Sequence, residues 1–240
     1  LVPEVTGGLA EREMLVEWLA EKRGARVEVA TPQRGPRRRH LEMAIENAKL
    51  SDAMTADEDS RRREGLVRLQ RLLDLPTLPT RLHCLDVSTI QGTSTVASRV
   101  AFHAGQPDRK QYRRYRISAA AAGDDFSSME EAVRRSLTRC MTDERDELPD
   151  LLVVDGGQGQ LAAAVRAVDE LGLRDDVPLV GLAKSRLKGL SGQRARTSER
   201  LFLPSQAEPL PLADGAPETL IVTYARDEAH RFAITYHRNV

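Results

Sequence analysis

The sequence predicts an α/β chain: a mixed sheet flanked by helices, with a mainly helical segment in front of it. Two observations carry the prediction. Three strand-like runs, residues 82–88, 95–104 and 112–118, follow one another closely and are each bounded by turn residues, as in an antiparallel meander. After Phe126 the pattern changes to alternating helix and strand, and residues 151–154 form an unbroken apolar run, the mark of a parallel strand covered on both faces. Three antiparallel strands, then helix, strand, helix, strand and a closing helix is the element order of an RNase H-like fold.

Residues 1–80 are charge-rich and helical in pattern. Leu15, Trp18 and Leu19 share one face, Leu41, Ala44, Ile45 and Ala48 a second, and Leu66, Leu69, Leu72 and Leu73 a third. Arg26-Val27-Glu28-Val29 alternates like a short strand, and since one strand makes no sheet it is expected to complete one elsewhere. Pro76-Thr77-Leu78-Pro79 reads as a linker, which puts the domain boundary at 80/81. In the second part, a helix from about Phe126 presents Phe126, Met129, Val133, Leu137 and Cys140 at helical intervals, with Ser127 and Glu130 spaced as a capping box. Gly156-Gly157 then leads into an alanine-rich helix through Leu171. A strand at 179–182, a polar loop, a short strand near Leu201 and a final helix from Pro217 to His237 complete the chain.

Composition excludes several classes. At 40% hydrophobic residues no apolar run is long enough to span a bilayer. The chain begins at Leu1 without a signal-peptide pattern, so it reads as an intracellular fragment of a longer protein. Cys84 and Cys140 lack the paired spacing of a zinc or iron–sulfur site and are expected to be buried reduced thiols. Thirty-six basic and thirty-six acidic residues cancel, so only the distribution of charge can speak for a nucleic-acid partner. Aromatic residues make up 4% of the chain, which argues against a stacking track for single strands.

The chemistry is signalled where acids interrupt apolar strands. Asp86 lies within Leu85-Asp86-Val87-Ser88, and Asp155 ends Leu151-Leu152-Val153-Val154-Asp155. A carboxylate in a core strand is costly unless it is paired, hydrogen-bonded or metal-bound. Either acid alone could cap a turn. If their strands are neighbours, the two would meet at one sheet edge as oxygen ligands suited to Mg²⁺ or Mn²⁺. Gly156-Gly157 keeps bulk away from Asp155, though a plain strand-to-helix turn would look the same, and Gly156-Gly157-Gln158-Gly159 lacks the spacing of a dinucleotide loop. His230 shares a helix face with Ile234 and His237, with Arg226 a turn earlier. It matters only if that helix returns to the acids, where an imidazole could ligate a metal or take a proton from water.

Asp124 and Asp125 precede a helix and suit its positive end, with Asp125 kept as an auxiliary acid. Arg113, Arg114 and Arg116 cluster with Tyr112 and Tyr115 on a strand, where a solvated face is an equal reading. Lys184, Arg186, Lys188, Arg194 and Arg196 surround a loop and suit phosphate contact.

These residues, read in order, resemble a known family. Leu85-Asp86-Val87-Ser88, Thr95-Val96-Ala97-Ser98, Tyr112-Arg113-Arg114-Tyr115, Gly123-Asp124-Asp125-Phe126, Asp155-Gly156-Gly157-Gln158-Gly159-Gln160, Gly181-Leu182-Ala183-Lys184 and Arg226-Asp227-Glu228-Ala229-His230-Arg231-Phe232-Ala233 are similar to the C-terminal nuclease region of UvrC, across residues 80–240. Pro32-Gln33-Arg34-Gly35 extends the likeness more loosely into the first 80. The resemblance implies an RNase H-like endonuclease that makes the 5′ incision in nucleotide excision repair, after UvrA and UvrB have located the lesion. It implies Asp86, Asp155 and His230 as the metal-binding catalytic triad, Asp125 as a further acid, Arg114 and the loop cations on the DNA backbone, and a cytoplasmic, monomeric fragment. The family's second nuclease, UvrB-binding segment and paired helix-hairpin-helix module have no counterpart here. An endonuclease V-like enzyme acting on deaminated bases and a non-catalytic scaffold for DNA or a repair partner are the alternatives.

Overall fold

The computed structural model of the chain describes residues 9–29, 31–90, 94–118, 124–184, 199–204 and 206–237. The chain divides into two compact units, Leu1–Asp59 and Ser60–Val240. The first holds α1 (Leu9–Arg23) and the front of α2 (Pro36–Leu72). Pro36 opens α2 at the position where its missing N–H is no loss. Residues 26–29 are irregular chain: no described strand pairs with them, and without a ladder their alternation does not become a strand. Leu15 and Leu19 of α1 are half-buried, whereas Trp18 stays exposed beneath the Lys22 ammonium, 4.9 Å from its ring. The boundary between the units falls inside α2, ahead of the proline stretch at 76–79, because Leu66 and Leu69 are buried in the core of the second unit.

That second unit is a mixed sheet with a helical layer on each face. Its described strands are β1 (Arg81–Ile90), β2 (Ser94–His103), β3 (Gln106–Pro107), β4 (Arg113–Arg116), β5 (Leu151–Asp155), β6 (Leu179–Lys184), β7 (Glu199–Phe202) and β8 (Leu210–Pro211). The order across the sheet is β3-β2-β1-β5-β6-β7-β8, with β4 also on β2. β1 pairs antiparallel with β2, and β5 lies parallel between β1 and β6. The interleaved helices are α3 (Asp125–Thr142), α4 (Gln158–Glu170) and α5 (Pro217–His237).

Side-chain alternation sorts the strands onto two cores. Leu85, Leu152 and Val154 face α3 and α4, packing with Met129, Val133, Leu137, Leu161 and Val168. Leu82, Cys84, Leu151 and Val153 face α5 and the tail of α2, packing with Leu66, Leu69, Val222, Ala225 and Ala229. Each such fully buried aliphatic side chain contributes about 1.5–3 kcal/mol. The same period of two puts Asp86, after Leu82 and Cys84, and Asp155, after Leu151 and Val153, on the α5 face.

The cap of α3 differs from the expected capping box. Asp124 is the N-cap, its carboxylate accepting from the N–H groups of Phe126 and Ser127 at 3.1 and 3.3 Å. Ser127 donates its hydroxyl to Asp124, and Glu130 pairs with Arg166 of α4 at 2.7 Å. A short Asp side chain one position outside the helix reaches these orphan donors directly, so the later pair is free for other contacts. Both cysteines are free thiols, Cys84 buried and Cys140 half-buried.

Candidate metal centre

β1 and β5 are in register with Leu85 beside Val154, so one step further along Asp86 and Asp155 come side by side on the α5 face. α5 crosses that face, and His230 Nδ1 stands 3.4 Å from Asp86 Oδ2. Asp86 is only 5% exposed and accepts the Ser88 hydroxyl at 3.0 Å, while the His230 side chain is 60% exposed. Burial, and then the negative charge of Asp86, push the Asp155 carboxyl up to about 6, against the pull of Arg226 and His230. His83, also in β1, belongs to the opposite face, and burial lowers its imidazole to about 3, so it stays neutral and apart.

α5 is placed by small residues and polar clamps. Ala225, Ala229 and Ala233 are buried and let its backbone approach the sheet closely. Arg226 donates to Glu199 of β7 at 2.6 Å. Tyr112 donates its hydroxyl to Glu228 at 3.0 Å, and Arg231 donates to the same carboxylate. The Ser98 hydroxyl donates to the carbonyl of Ala229 at 3.0 Å, and Ser98 is the β2 residue paired with Asp86. Arg114 donates to the Phe232 carbonyl and the Thr235 hydroxyl with its guanidinium 3.8 Å from the Phe232 ring. Successive turns are thus tied to the sheet on both sides of His230.

Of the residues singled out in the sequence, Asp86, Asp155 and His230 come together. Asp125 sits in the first turn of α3, exposed, in the layer on the opposite face. Lys184 ends β6 and is exposed, whereas Arg186, Lys188, Arg194 and Arg196 lie outside the described residues. Arg114 is docked on α5, and Arg113 is paired with Asp146, so the strand cluster holds the fold together. Sequence reading missed Ser88, Ser98 and Glu199. Ser88 and Ser98 stand inside the quoted motifs, but nothing local marks Glu199, whose partner Arg226 is 27 residues away.

Among the described residues no group of three His, Cys, Asp or Glu is closed into a ready cage for a metal. The donor chemistry still fits a hard divalent cation: two neighbouring carboxylates, one of them pushed up by burial and then by the other's charge, with an imidazole beside them. A cation between them would offset both the burial of Asp155 and its repulsion from Asp86.

Residues 70–234 match the family described as the UvrC RNAse H endonuclease domain, and residues 5–53 match the UvrC Ribonuclease H-like domain. Similar curated proteins include UvrABC system protein C of Gloeobacter violaceus, 43% identical over 235 residues, and that of Methanosarcina acetivorans, 39% identical over 238. These alignments cover 96% and 99% of this chain but 35% and 41% of the relatives, so the chain spans well under half of their length. A solved endonuclease V from Streptomyces avermitilis aligns over 72% of this chain and 92% of its own, at 16% identity and a TM-score of 0.43. The family match spans the whole sheet and all three residues gathered at its edge, and the chain belongs to the UvrC RNase H endonuclease domain family.

Proposed function

We propose that the chain is the catalytic module of a nucleotide excision repair endonuclease, hydrolysing one DNA phosphodiester on the 5′ side of a lesion to leave a 3′-hydroxyl and a 5′-phosphate. The observation that carries this reading is the meeting of two strand carboxylates and a helix imidazole at one sheet edge, with His230 3.4 Å from Asp86. Asp86, Asp155 and His230 would hold Mg²⁺ or Mn²⁺. When bound, such an ion stabilises charge building on the phosphoryl oxygens and acidifies the attacking water.

The chain's own groups supply the rest. Ser88 and His230 orient Asp86, and an imidazole that directs Nδ1–H at Asp86 would leave Nε2 as the nitrogen available to the ion. α4 begins directly after Asp155-Gly156-Gly157 with no side chain bonded to its first N–H groups, so its positive end lies beside the acids and favours a phosphate there. Asp125 is an auxiliary acid at the head of α3. Lys184, Arg186, Arg194 and Arg196 are assigned to the DNA backbone, which they grip without reading bases.

Kinship with UvrABC system protein C supports damaged double-stranded DNA and UvrB as partners, with UvrA acting upstream, in the cytoplasm. No described helix is long and apolar enough to cross a membrane. The chain by itself is proposed to be monomeric. An Asp155→Ala chain, supplied with the partner proteins and a bulky-adduct duplex, should incise at background level while keeping its circular dichroism spectrum. Calorimetry should show Mn²⁺ binding lost along with it. Incision at the parental rate would remove the assignment, and preference for an inosine duplex without partners would move it to an endonuclease V-like reaction.

A further inference from the structure

α3 and α4 both begin at the carboxyl end of the sheet, α4 immediately behind Asp155, and their first turns meet at Phe126. Met129, Val133 and Leu137 of α3 are spent on the core at 1%, 0% and 0% exposed, and Met141 is exposed at the far end of the helix. Phe126 is 47% exposed. Its place is reserved by Gly159, because a Cβ there would stand 2.3 Å from Cε1 and 2.7 Å from Cζ of the ring. Glycine inside a helix costs about 1 kcal/mol relative to alanine, and Gly159 adopts no positive φ that would require it. The close approach of the ring is therefore what needs the glycine. Gly159 lies four residues beyond Asp155, a length of chain of at most about 14 Å, so the turn that carries the ring's contact follows directly on the strand end that carries Asp155.

We propose that Phe126 is a nucleobase contact, stacking on the base of a nucleotide that flanks the scissile phosphate and so aligning the strand over Asp86 and Asp155. The inference rests on the DNA-nuclease reading and adds a residue that orients the substrate. A residue serving only to cover Gly159 could be any apolar side chain. An aromatic ring additionally offers a face to every base, which suits an enzyme that must cut beside lesions in any sequence. The low aromatic content argues against a long stacking track, and one ring at one nucleotide is consistent with it.

The test uses the full-length subunit in the reconstituted incision assembly, with 2-aminopurine placed in turn at the nucleotides flanking the incision. The parent and Phe126→Trp should quench the fluorophore at one of these positions. Phe126→Leu, which keeps an apolar side chain on an exposed site, should lose the quench and incise about ten-fold more slowly, within the range expected for one base–aromatic stack. Gly159→Ala, by displacing the ring, should reproduce the loss of quench. Mn²⁺ affinity and thermal midpoint of Phe126→Leu should match the parent, which a role confined to packing would not allow. A Phe126→Leu subunit with intact quench and parental incision overturns the proposal. Quench that depends on Phe126 in an assembly that never cuts upholds the contact and removes the nuclease reading instead.

Discussion

Asp146 and Asp155 are both withdrawn from water in the second unit, yet their surroundings push them in opposite directions. Asp146, 3% exposed, accepts from Arg99 at 2.5 Å and Arg139 at 3.0 Å and is also paired with Arg113. Burial raises its carboxyl, but Arg99, aided by the other two, outweighs this and holds it below the usual range. Burial, and then the neighbouring acid Asp86, push the Asp155 carboxyl up to about 6. One site is electrostatically complete within the protein, and the other is left short of positive charge. A buried acid with its counter-charges in place holds the fold together. A buried acid beside a second acid stores a repulsion that a cationic ligand can release.

The largest effect that would break this contrast is expected at Asp146. Asp146→Ala leaves Arg99, wholly buried, without its carboxylate partner, and losing one side of a buried pair costs about 3–5 kcal/mol. Urea unfolding should show that loss, while Mn²⁺ binding by the folded protein stays unchanged. A loss below about 1 kcal/mol would place Asp146 among ordinary surface pairs.

Asp155 should behave oppositely. Its carboxyl titrates at about 6 when folded and near 3.8 when unfolded, so between these values the folded state holds a proton that the unfolded state has released. Stability of the metal-free protein therefore falls as pH rises from about 4 to about 6 and stays reduced above. Discounted for partial exposure, the penalty is about 2 kcal/mol. Asp155→Asn removes it: the variant should melt about 4–8 °C above the parent at pH 8, with the gap closing below pH 4. Added Mn²⁺ should narrow or invert the order by stabilising the parent alone. Equal melting at pH 8 would mean that Asp155 carries no stored repulsion.

How far these two sites could be read in advance follows from where their signals lie. Asp86 and Asp155 stand out because each interrupts an apolar strand, and parallel pairing of β1 with β5 then brings them together. Asp146 falls in Thr142-Asp143-Glu144-Arg145-Asp146-Glu147, which looks like solvated chain, and only the fold carries Arg99 and Arg113 to it. Arg99, lodged between Ser98 and Val100, is as conspicuous an interruption as Asp86 and was the available clue. The order of elements along the chain and the closing helix were legible from periodicity, whereas the order of strands across the sheet was not. The short alternation at 26–29 misled because two valines without a partner strand have no ladder to join. Glu199 and Arg226 show no local sign of each other, since their pairing depends on α5 returning across the sheet to β7.

The smallest predicted effect is the most discriminating. Ser98 pairs with Asp86 across β1 and β2, and its hydroxyl holds the carbonyl of Ala229, the residue before His230. In Ser98→Ala that carbonyl keeps its helical N–H partner, so no buried group is orphaned and stability should fall by no more than about 1 kcal/mol. What is lost is the tether that sets α5 along the sheet at His230, so Mn²⁺ affinity should weaken roughly two- to five-fold, equivalent to about 0.5–1 kcal/mol. Asp146→Ala is expected to show the reverse, a large loss of stability with metal binding preserved. If Ser98→Ala lowers stability while the Mn²⁺ titration stays at the parental value, Ser98 serves packing alone, and the placement of His230 must come from the clamps at Arg226, Glu228 and Phe232.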